Sequence, residues 1–423
     1  MSRNKLKTRV NVIIALPSEL SEITGIVQSV RHTQAMPGSQ TSLREANRAR
    51  IVSAVQQHGA LTQVELAGIT GLSPASVSNI VTELSDAGVL DTSPSIRSGR
   101  RARLVTLARA TGLVAGIDVG ARTMRVALAD TSMQILATEI LPLAADHRAD
   151  LGLQRAGMLV REMIDAVDAS ADELLAVGIG VPAPVDVRTG TVSSTSMLRG
   201  WDGAAVDQLL HDILGVPVAV DNDANLGALA EARFGSGVGR DAVLYVHASH
   251  TIGAGIVLNG QLLRGRQGGA GELGHVTVDP DGAVCRCGNR GCLETVAGGA
   301  AIVSMLRTSH GALTLDDVVA HALQGDLGCR RALSDTGKHL GAAVANACTF
   351  LAPDIVVVGG LITEAGDLVM DAMRAAVEAH VLPSVGGPPE VLRSEFGDEA
   401  ELRGALTAAL DLARERGTLG VLA

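Results

Sequence analysis

The chain has 423 residues, of which 47% are apolar but only 1% aromatic, and a formal net charge of −10. That length allows two or three domains with large cores of Leu, Val, Ile and Ala, a composition that suits helices on a parallel or mixed sheet. No apolar run is long enough to span a bilayer, which excludes a membrane-spanning helix, and unpaired thiols point to the reducing cytoplasm.

The charge is unevenly spread: residues 1–110 carry 13 Lys and Arg against 7 Asp and Glu, the remainder 22 against 38. A basic amino-terminal module on an acidic body suggests a polyanion partner for the first part only; the alternative is an ordinary solvated surface. Residues 1–41 read as a poorly defined tail, basic at first and apolar over 10–16, with no helical or strand pattern. A signal peptide makes no sense before the module that follows. Met36-Pro-Gly-Ser leads directly into the first helix, so Met36 is read as the start of the native protein.

Residues 42–108 read as a winged helix-turn-helix. A first helix over 44–58 shows Ile51, Val52 and Val55 on one face and ends at Gly59, a left-handed cap. Thr62-Gln-Val-Glu65 is a capping box that opens a short helix with Leu66 and Ile69 inward. Gly71 makes the tight turn, Ser73 caps a third helix with Pro74 at its first position, and Val77, Ile80, Val81 and Leu84 form its buried stripe before Gly88. The opposite face carries Ser78, Asn79 and Thr82, short hydrogen-bonding side chains suited to base edges and phosphates in a major groove. A small protein-interaction module with a polar outer face is the alternative. Arg97-Ser-Gly99-Arg100-Arg101-Ala-Arg103 precedes an alternating strand over 104–107 and reads as a wing or arm, with Arg97, Arg100 and Arg101 in a narrow minor groove. A flexible basic linker is the other reading.

From residue 113 the pattern becomes α/β. Strands are expected over 114–119, 123–130, 133–141, 176–181, 216–220, 242–246 and 355–358, and Asn222 and Asp223 can cap a helix over 224–233. Two lobes with a cleft between them follow: a first lobe over 113–221 joined by a carboxy-terminal helix at about 400–421, and a second lobe over 222–399.

The densest motif is Glu272-Leu-Gly-His275 followed by Cys285-Arg-Cys287-Gly-Asn-Arg-Gly-Cys292-Leu-Glu294, which holds three of the five cysteines. His275, Cys285, Cys287 and Cys292 fill one structural tetrahedral zinc site per chain, with no position left for water. The alternative is three ordinary buried thiols. A metal here fixes a loop and holds Glu272 and Glu294 beside it. His275 can bind it through one ring nitrogen and offer the other N–H to a hydroxyl-rich ligand.

This run resembles the signature of the ROK family, whose members are bacterial sugar kinases and sugar-responsive repressors. Other marks of the family occur in order: Gly178-Ile-Gly-Val-Pro182-Ala-Pro184-Val-Asp186, Asp221-Asn222-Asp223-Ala-Asn225 and Pro353-Asp354-Ile-Val-Val-Val-Gly359-Gly360. The resemblance implies an actin-like, ribonuclease H-like ATPase fold with sugar and nucleotide in the cleft. It implies that Asp223 stands where the family's kinases keep their general base, and that Asn222, Asp223, Glu272, His275 and Glu294 line the sugar. Two departures bear on the ligand: Met197 replaces an Asn that bonds the sugar, in Met197-Leu-Arg-Gly200-Trp201, and Ala183 replaces a usual glycine. Trp201 is expected near the sugar.

The phosphate side departs further. An Asp-x-Gly-Gly-Thr turn in the family's kinases is Asp118-Val-Gly120-Ala121-Arg122-Thr123 here, and Gly-Thr-Gly-Ile-Gly is Ser249-His250-Thr251-Ile252-Gly253. A loop that cradles phosphates with its N–H groups has lost two glycines and a threonine. Each charge-assisted bond to phosphate is worth roughly 1.5–3 kcal/mol, so losing two or three costs on the order of 10³-fold. The expectation is a sugar-responsive DNA-binding regulator, a repressor of carbohydrate genes without kinase activity. Its partners are an operator and a sugar or sugar-phosphate effector, and it is a homodimer or homotetramer in the cytoplasm. An active ATP-dependent sugar kinase with an accessory DNA-binding domain is the alternative, and a scaffold answering to a protein partner is a third reading.

Overall fold

The computed structural model describes residues 40–418 except 59, 98–99, 108–111, 121, 145–146, 193–199 and 383–386. The expectations for the tail before residue 40, Met36, Gly59, Ala121 and Met197 therefore lie outside the described residues. Helix α1 spans Gln40–His58, four residues longer at its start than its apolar face indicates. Residues 40–50 group apart from Ile51–Ala423.

From Ile51 the winged helix-turn-helix is built from β1 (Leu61–Thr62), α2 (Gln63–Thr70), α3 (Pro74–Asp86), β2 (Leu90–Arg97) and β3 (Arg100–Leu107), with antiparallel sheet order β1-β3-β2. Thr62 and Glu65 close the expected capping box, and Gly71 ends α2 in the left-handed region at φ 68°. Ser73 caps α3 by accepting from the Ser76 N–H, with Pro74 in the first turn. Ile51, Val55, Leu66, Val77, Val81, Leu84 and Val105 form one buried cluster. Ile69, expected inward, is 48% exposed. It lies in the last turn of the eight-residue α2, where no described element covers it; Leu66 alone on this helix is buried.

The body has two five-stranded sheets. The first contains β4 (Leu113–Val119), β5 (Thr123–Asp130), β6 (Ile135–Pro142), β7 (Leu174–Val181) and β10 (Val218–Asn222), in the order β10-β7-β4-β5-β6. Helices α4 (Ala149–Ala166) and α5 (Val206–Leu214) belong to this lobe, as does the small pair β8 (Val185–Asp186) and β9 (Thr191–Val192). β6 starts two residues later than expected because Met133, at φ 65°, belongs to the turn before it.

The second sheet contains β11 (Ala242–Ala248), β12 (Ile252–Leu258), β13 (Gln261–Leu262), β14 (Ile355–Gly359) and β15 (Glu390–Arg393), in the order β13-β12-β11-β14-β15. Each sheet joins three parallel strands to two antiparallel ones. β4 and β14 are buried at every residue, as strands covered on both faces must be. Helices α7 (Glu294–Ala297), α8 (Gly299–His310), α9 (Leu315–Leu323), α10 (Leu327–Leu351) and α11 (Asp367–His380) complete the second lobe.

Two helices lie between the sheets. α6 (Asp223–Phe234) packs on β11 and β12; α12 (Ala400–Glu415) packs on β4 and β7, and the two helices pack on each other. Their contact depends on Gly404, where a Cβ would fall 1.9 Å from the Leu226 carbonyl oxygen. This two-lobed, twice-repeated arrangement is the actin-like body expected from the motifs. Among the described residues no helix is long and apolar enough to cross a membrane.

Candidate functional site

A narrow cleft opens beside the start of α6. Ala183 and its flanking prolines, Asn222, Asp223, Ile252, Glu272 and His275 line it. Asn222 is the N-cap of α6: its side-chain oxygen accepts from the Asn225 N–H at 3.2 Å, and its amide donates to the Ala183 carbonyl at 3.3 Å. Asp223 follows in the first turn, buried, accepting from the Ala224 N–H at 2.7 Å. Burial pushes its carboxyl up to about 7, against the opposing pull of His247. Burial and then the charge of Glu294 likewise push Glu272 up to about 7.

Four of the five residues assigned to a sugar therefore line one cleft. The fifth, Glu294, stands behind it. Its Oε1 accepts from Arg286 Nε at 2.9 Å and Nη2 at 2.5 Å, and its Oε2 lies 3.5 Å from the Ile252 N–H. Trp201, expected near the ligand, is instead a fully buried core residue of the first lobe, with the His147 ring edge-on at 5.7 Å. It follows a segment outside the described residues, and nothing in its own sequence distinguishes a core tryptophan from a ligand-facing one.

The metal-ligand set comes together. The ligand atoms of His275, Cys285, Cys287 and Cys292 all lie within 4.8 Å of one another and could hold a metal ion. Cys285 Sγ is 3.7 Å from His275 Nδ1, and Cys287 Sγ is 3.7 Å from Cys292 Sγ. Metal bonds of roughly 2.0–2.3 Å in a tetrahedron set ligand atoms about 3.4–3.8 Å apart, so the donors fit. Turn geometry builds the set: the Cys285 N–H donates to Asn289 O at 2.7 Å and the Gly288 N–H to Cys285 O at 3.0 Å. Gly291, at φ +67°, lets the chain return against the Asp279 carbonyl, which a Cβ would meet at 1.5 Å. With Nδ1 turned to the thiols, His275 Nε2 faces the cleft side, 3.8 Å from Glu272 Oε2.

A buried charge network lies deeper and was not anticipated. Glu401 on α12 accepts from Tyr245 Oη and from His247 Nδ1, each at 2.7 Å. Burial alone would lower the His247 pKa; Glu401, with Asp223 and Asp118, outweighs it and lifts it to about 10. Asp118, at the end of β4, lies 3.3 Å from Arg125 Nε, and Arg125 Nη1 reaches Asp398 at 2.9 Å. Burial raises Asp118 to about 6, with Arg125 opposing. The other Glu401 oxygen is buried without a hydrogen-bond partner among the described residues. The available signal was one His in the apolar β11 and one Glu on the buried face of α12. The residues between β11 and β12, Ser249 to Thr251, form a tight turn in which the Ser249 N–H donates to Thr251 O.

On the amino-terminal module Ser78, Asn79 and Thr82 are exposed on α3, away from its buried stripe. The Thr82 hydroxyl is turned back to Ser78 O at 3.0 Å. Arg97 and Arg100 close the β2–β3 hairpin as facing residues, and Arg101 faces Ile96; the side chains of these three arginines lie outside the described residues. Arg103, further along β3, donates to the Thr92 hydroxyl at 2.7 Å.

Residues 114–412 match the ROK family, and residues 45–101 match the MarR family. The xylose repressor of Bacillus subtilis strain 168 is 28% identical over 377 residues, spanning 88% of this chain and 97% of that protein. A glucokinase of Halalkalibacterium halodurans is 32% identical over 312 residues, spanning 68% of this chain and 92% of that one. The crystal structure of a ROK family transcriptional regulator, described as a homolog of the Escherichia coli MLC protein, superposes with a TM-score of 0.66 at 27% identity, covering 89% of this chain and 98% of that one.

Proposed function

The chain belongs to the ROK family, and on that premise we propose that it is a sugar-responsive transcriptional repressor of carbohydrate genes that senses its effector in a former kinase cleft. The observation that carries this reading is the pairing, in one chain, of a winged helix-turn-helix with a cleft of polyol-binding character. Asn222, Asp223, Glu272 and His275 offer converging acceptors and an imidazole, as a ligand that must exchange its hydration for several oriented hydrogen bonds requires. The relatives named as a xylose repressor and a ROK transcriptional regulator support it.

Ser78, Asn79 and Thr82 are assigned to the major groove and Arg97, Arg100 and Arg101 to the wing. Zinc is assigned to His275, Cys285, Cys287 and Cys292; when bound it supplies a rigid loop and leaves His275 Nε2 to donate to a hydroxyl. A two-fold operator calls for at least a dimer, and a tetramer extends the same symmetry. Its work on DNA is assigned to the cytoplasm.

An active sugar kinase is the second reading. Asp223, near neutral pKa, suits a general base, and the glucokinase relative supports it. Against it stand the tie of Asp118 to Arg125 and the side chains of Ser249 and His250 in place of a glycine-rich phosphate cradle.

The deciding experiment is binding of the full chain to DNA from upstream of its own gene, across salt, with and without D-xylose, D-glucose or N-acetyl-D-glucosamine, beside a coupled ATPase assay on the same sugars. Salt-sensitive binding altered by one sugar, with no ATP turnover, is the expected result; turnover that depends on Asp223 selects the kinase. Arg100→Ala should weaken DNA binding and flatten its salt dependence.

A further inference from the structure

We propose that Arg264, which does not itself line the cleft, fastens two of the cleft's walls to each other and is a positioning residue for the effector. This deepens the sugar-sensor reading and rests on it. Arg264 follows β13 in the second lobe. Its Nε donates to Asp221 Oδ2 at 2.7 Å, near the end of the first-lobe strand β10. Its carbonyl accepts from the Ala270 N–H at 3.1 Å. The side chain and the backbone of one residue thus hold two separate segments of the site.

On the first wall, Asp221 is nearly buried, its side chain 6% exposed. Its other oxygen, Oδ1, accepts from the Asn222 N–H and from Asn225 Nδ2, each at 2.8 Å. The Asn225 N–H in turn donates to Asn222 Oδ1. Asp221 therefore fixes the turn that carries Asn222 and Asp223, and both of those line the cleft. On the second wall, the chain from Gly265 to Gly271 leads to Glu272. Gln267 is held there in the left-handed region at φ 54°, which a residue with a side chain occupies only where its surroundings fix it. Gly268, at φ +75°, approaches β8 so closely that a Cβ would fall 2.1 Å from the Val185 carbonyl oxygen. The Gly271 carbonyl accepts from the Ala254 N–H at 2.8 Å, and Gly271 and Glu272 line the cleft. The bond from Arg264 to Asp221 is charge-assisted, which makes it the strong tie among these contacts. Without it, a polyol that needs Asn222, Asp223 and Glu272 together must order them as it binds, and affinity falls.

The test is calorimetric titration of the full chain with D-xylose, D-glucose and N-acetyl-D-glucosamine, with zinc content and hydrogen exchange of the amides over 265–272 measured on each protein. Wild type is compared with Arg264→Ala, Arg264→Lys, Asp221→Asn and the double variant Arg264→Ala/Asp221→Asn. Arg264→Ala and Asp221→Asn should each weaken sugar binding about tenfold. The double variant should be no worse than either single one, because both remove the same tie. Only Nε makes the contact, so the lysine ammonium can replace it, and Arg264→Lys should recover most of the affinity. Exchange over 265–272 should quicken in Arg264→Ala and return towards wild type in Arg264→Lys. Wild-type affinity in Arg264→Ala, additive losses in the double variant, or a lysine variant as weak as the alanine one overturns the proposal and leaves the sugar reading standing. If Arg264→Ala fails to fold, Asp221→Asn and Arg264→Lys decide: wild-type affinity in Asp221→Asn overturns the proposal equally. Failure of wild type to bind any of the three sugars rejects the sugar reading, and the positioning role falls with it.

Discussion

Asp223 lies in the first turn of α6 almost out of solvent, so burial opposes its charge more than any neighbour favours it. Its pKa rises from 3.8 to about 7. A raised native pKa means the folded state holds the proton more tightly than the unfolded chain. The associated stability is fully present below pH 3.8 and is lost as pH rises through about 7. Asparagine keeps the acceptor for the Ala224 N–H and cannot ionise. Asp223→Asn should thus match wild type near pH 4 and exceed it at pH 8, by no more than about 4 kcal/mol. Urea unfolding at both pH values reads this directly; a difference that does not change with pH would show that the carboxylate is solvated or already paired.

Elements were legible where one segment carries its own signal. The stripe Val77, Ile80, Val81 and Leu84 on α3 is buried as its spacing predicts, and the Thr62–Glu65 capping box is formed. Thr62→Ala should cost the module about 1 kcal/mol, seen as a lowered denaturant midpoint with unchanged slope. The metal set was legible for the same reason: its four donors lie within a short run joined by glycine turns. Cys287→Ser leaves that set one donor short, so zinc content should fall and sugar affinity with it, while the winged module stays folded; zinc content and affinity equal to wild type would remove the cluster from both roles. β2 went unread, because Leu90 to Arg97 contains Pro94 and mostly polar residues and is a strand only through its partner β3. The Arg286–Glu294 pair was hidden inside the motif itself, since spacing names candidate ligands but not which neighbour already occupies them. His247 and Glu401 are 154 residues apart, and no local pattern pairs them.

At the scale of the whole body, that last pair joins the lobes. His247 belongs to the second sheet, and Glu401 to α12, which packs on the first. Their bond crosses the helix layer where α6 and α12 meet, with Tyr245 on the same carboxylate oxygen. Removing the imidazole leaves Glu401 buried with the Tyr245 hydroxyl as its remaining side-chain donor. Breaking a buried pair from one side typically costs about 3–5 kcal/mol, because the stranded charge keeps its desolvation penalty. The pH course follows from the raised pKa of His247. Stability from its protonated form is complete below 6.5 and lost as pH climbs through about 10. His247→Ala should therefore destabilise the body by a few kcal/mol at pH 7, and the deficit should shrink towards pH 10 as wild type loses the same ion pair. Denaturation of both proteins at pH 7 and pH 9.5 checks this; a deficit that stays constant with pH would mean that His247 contributes packing rather than charge. If the pair also transmits lobe movement, the variant should still bind sugar but change its DNA affinity less on doing so, because coupling requires the ligand to favour one of two connected states.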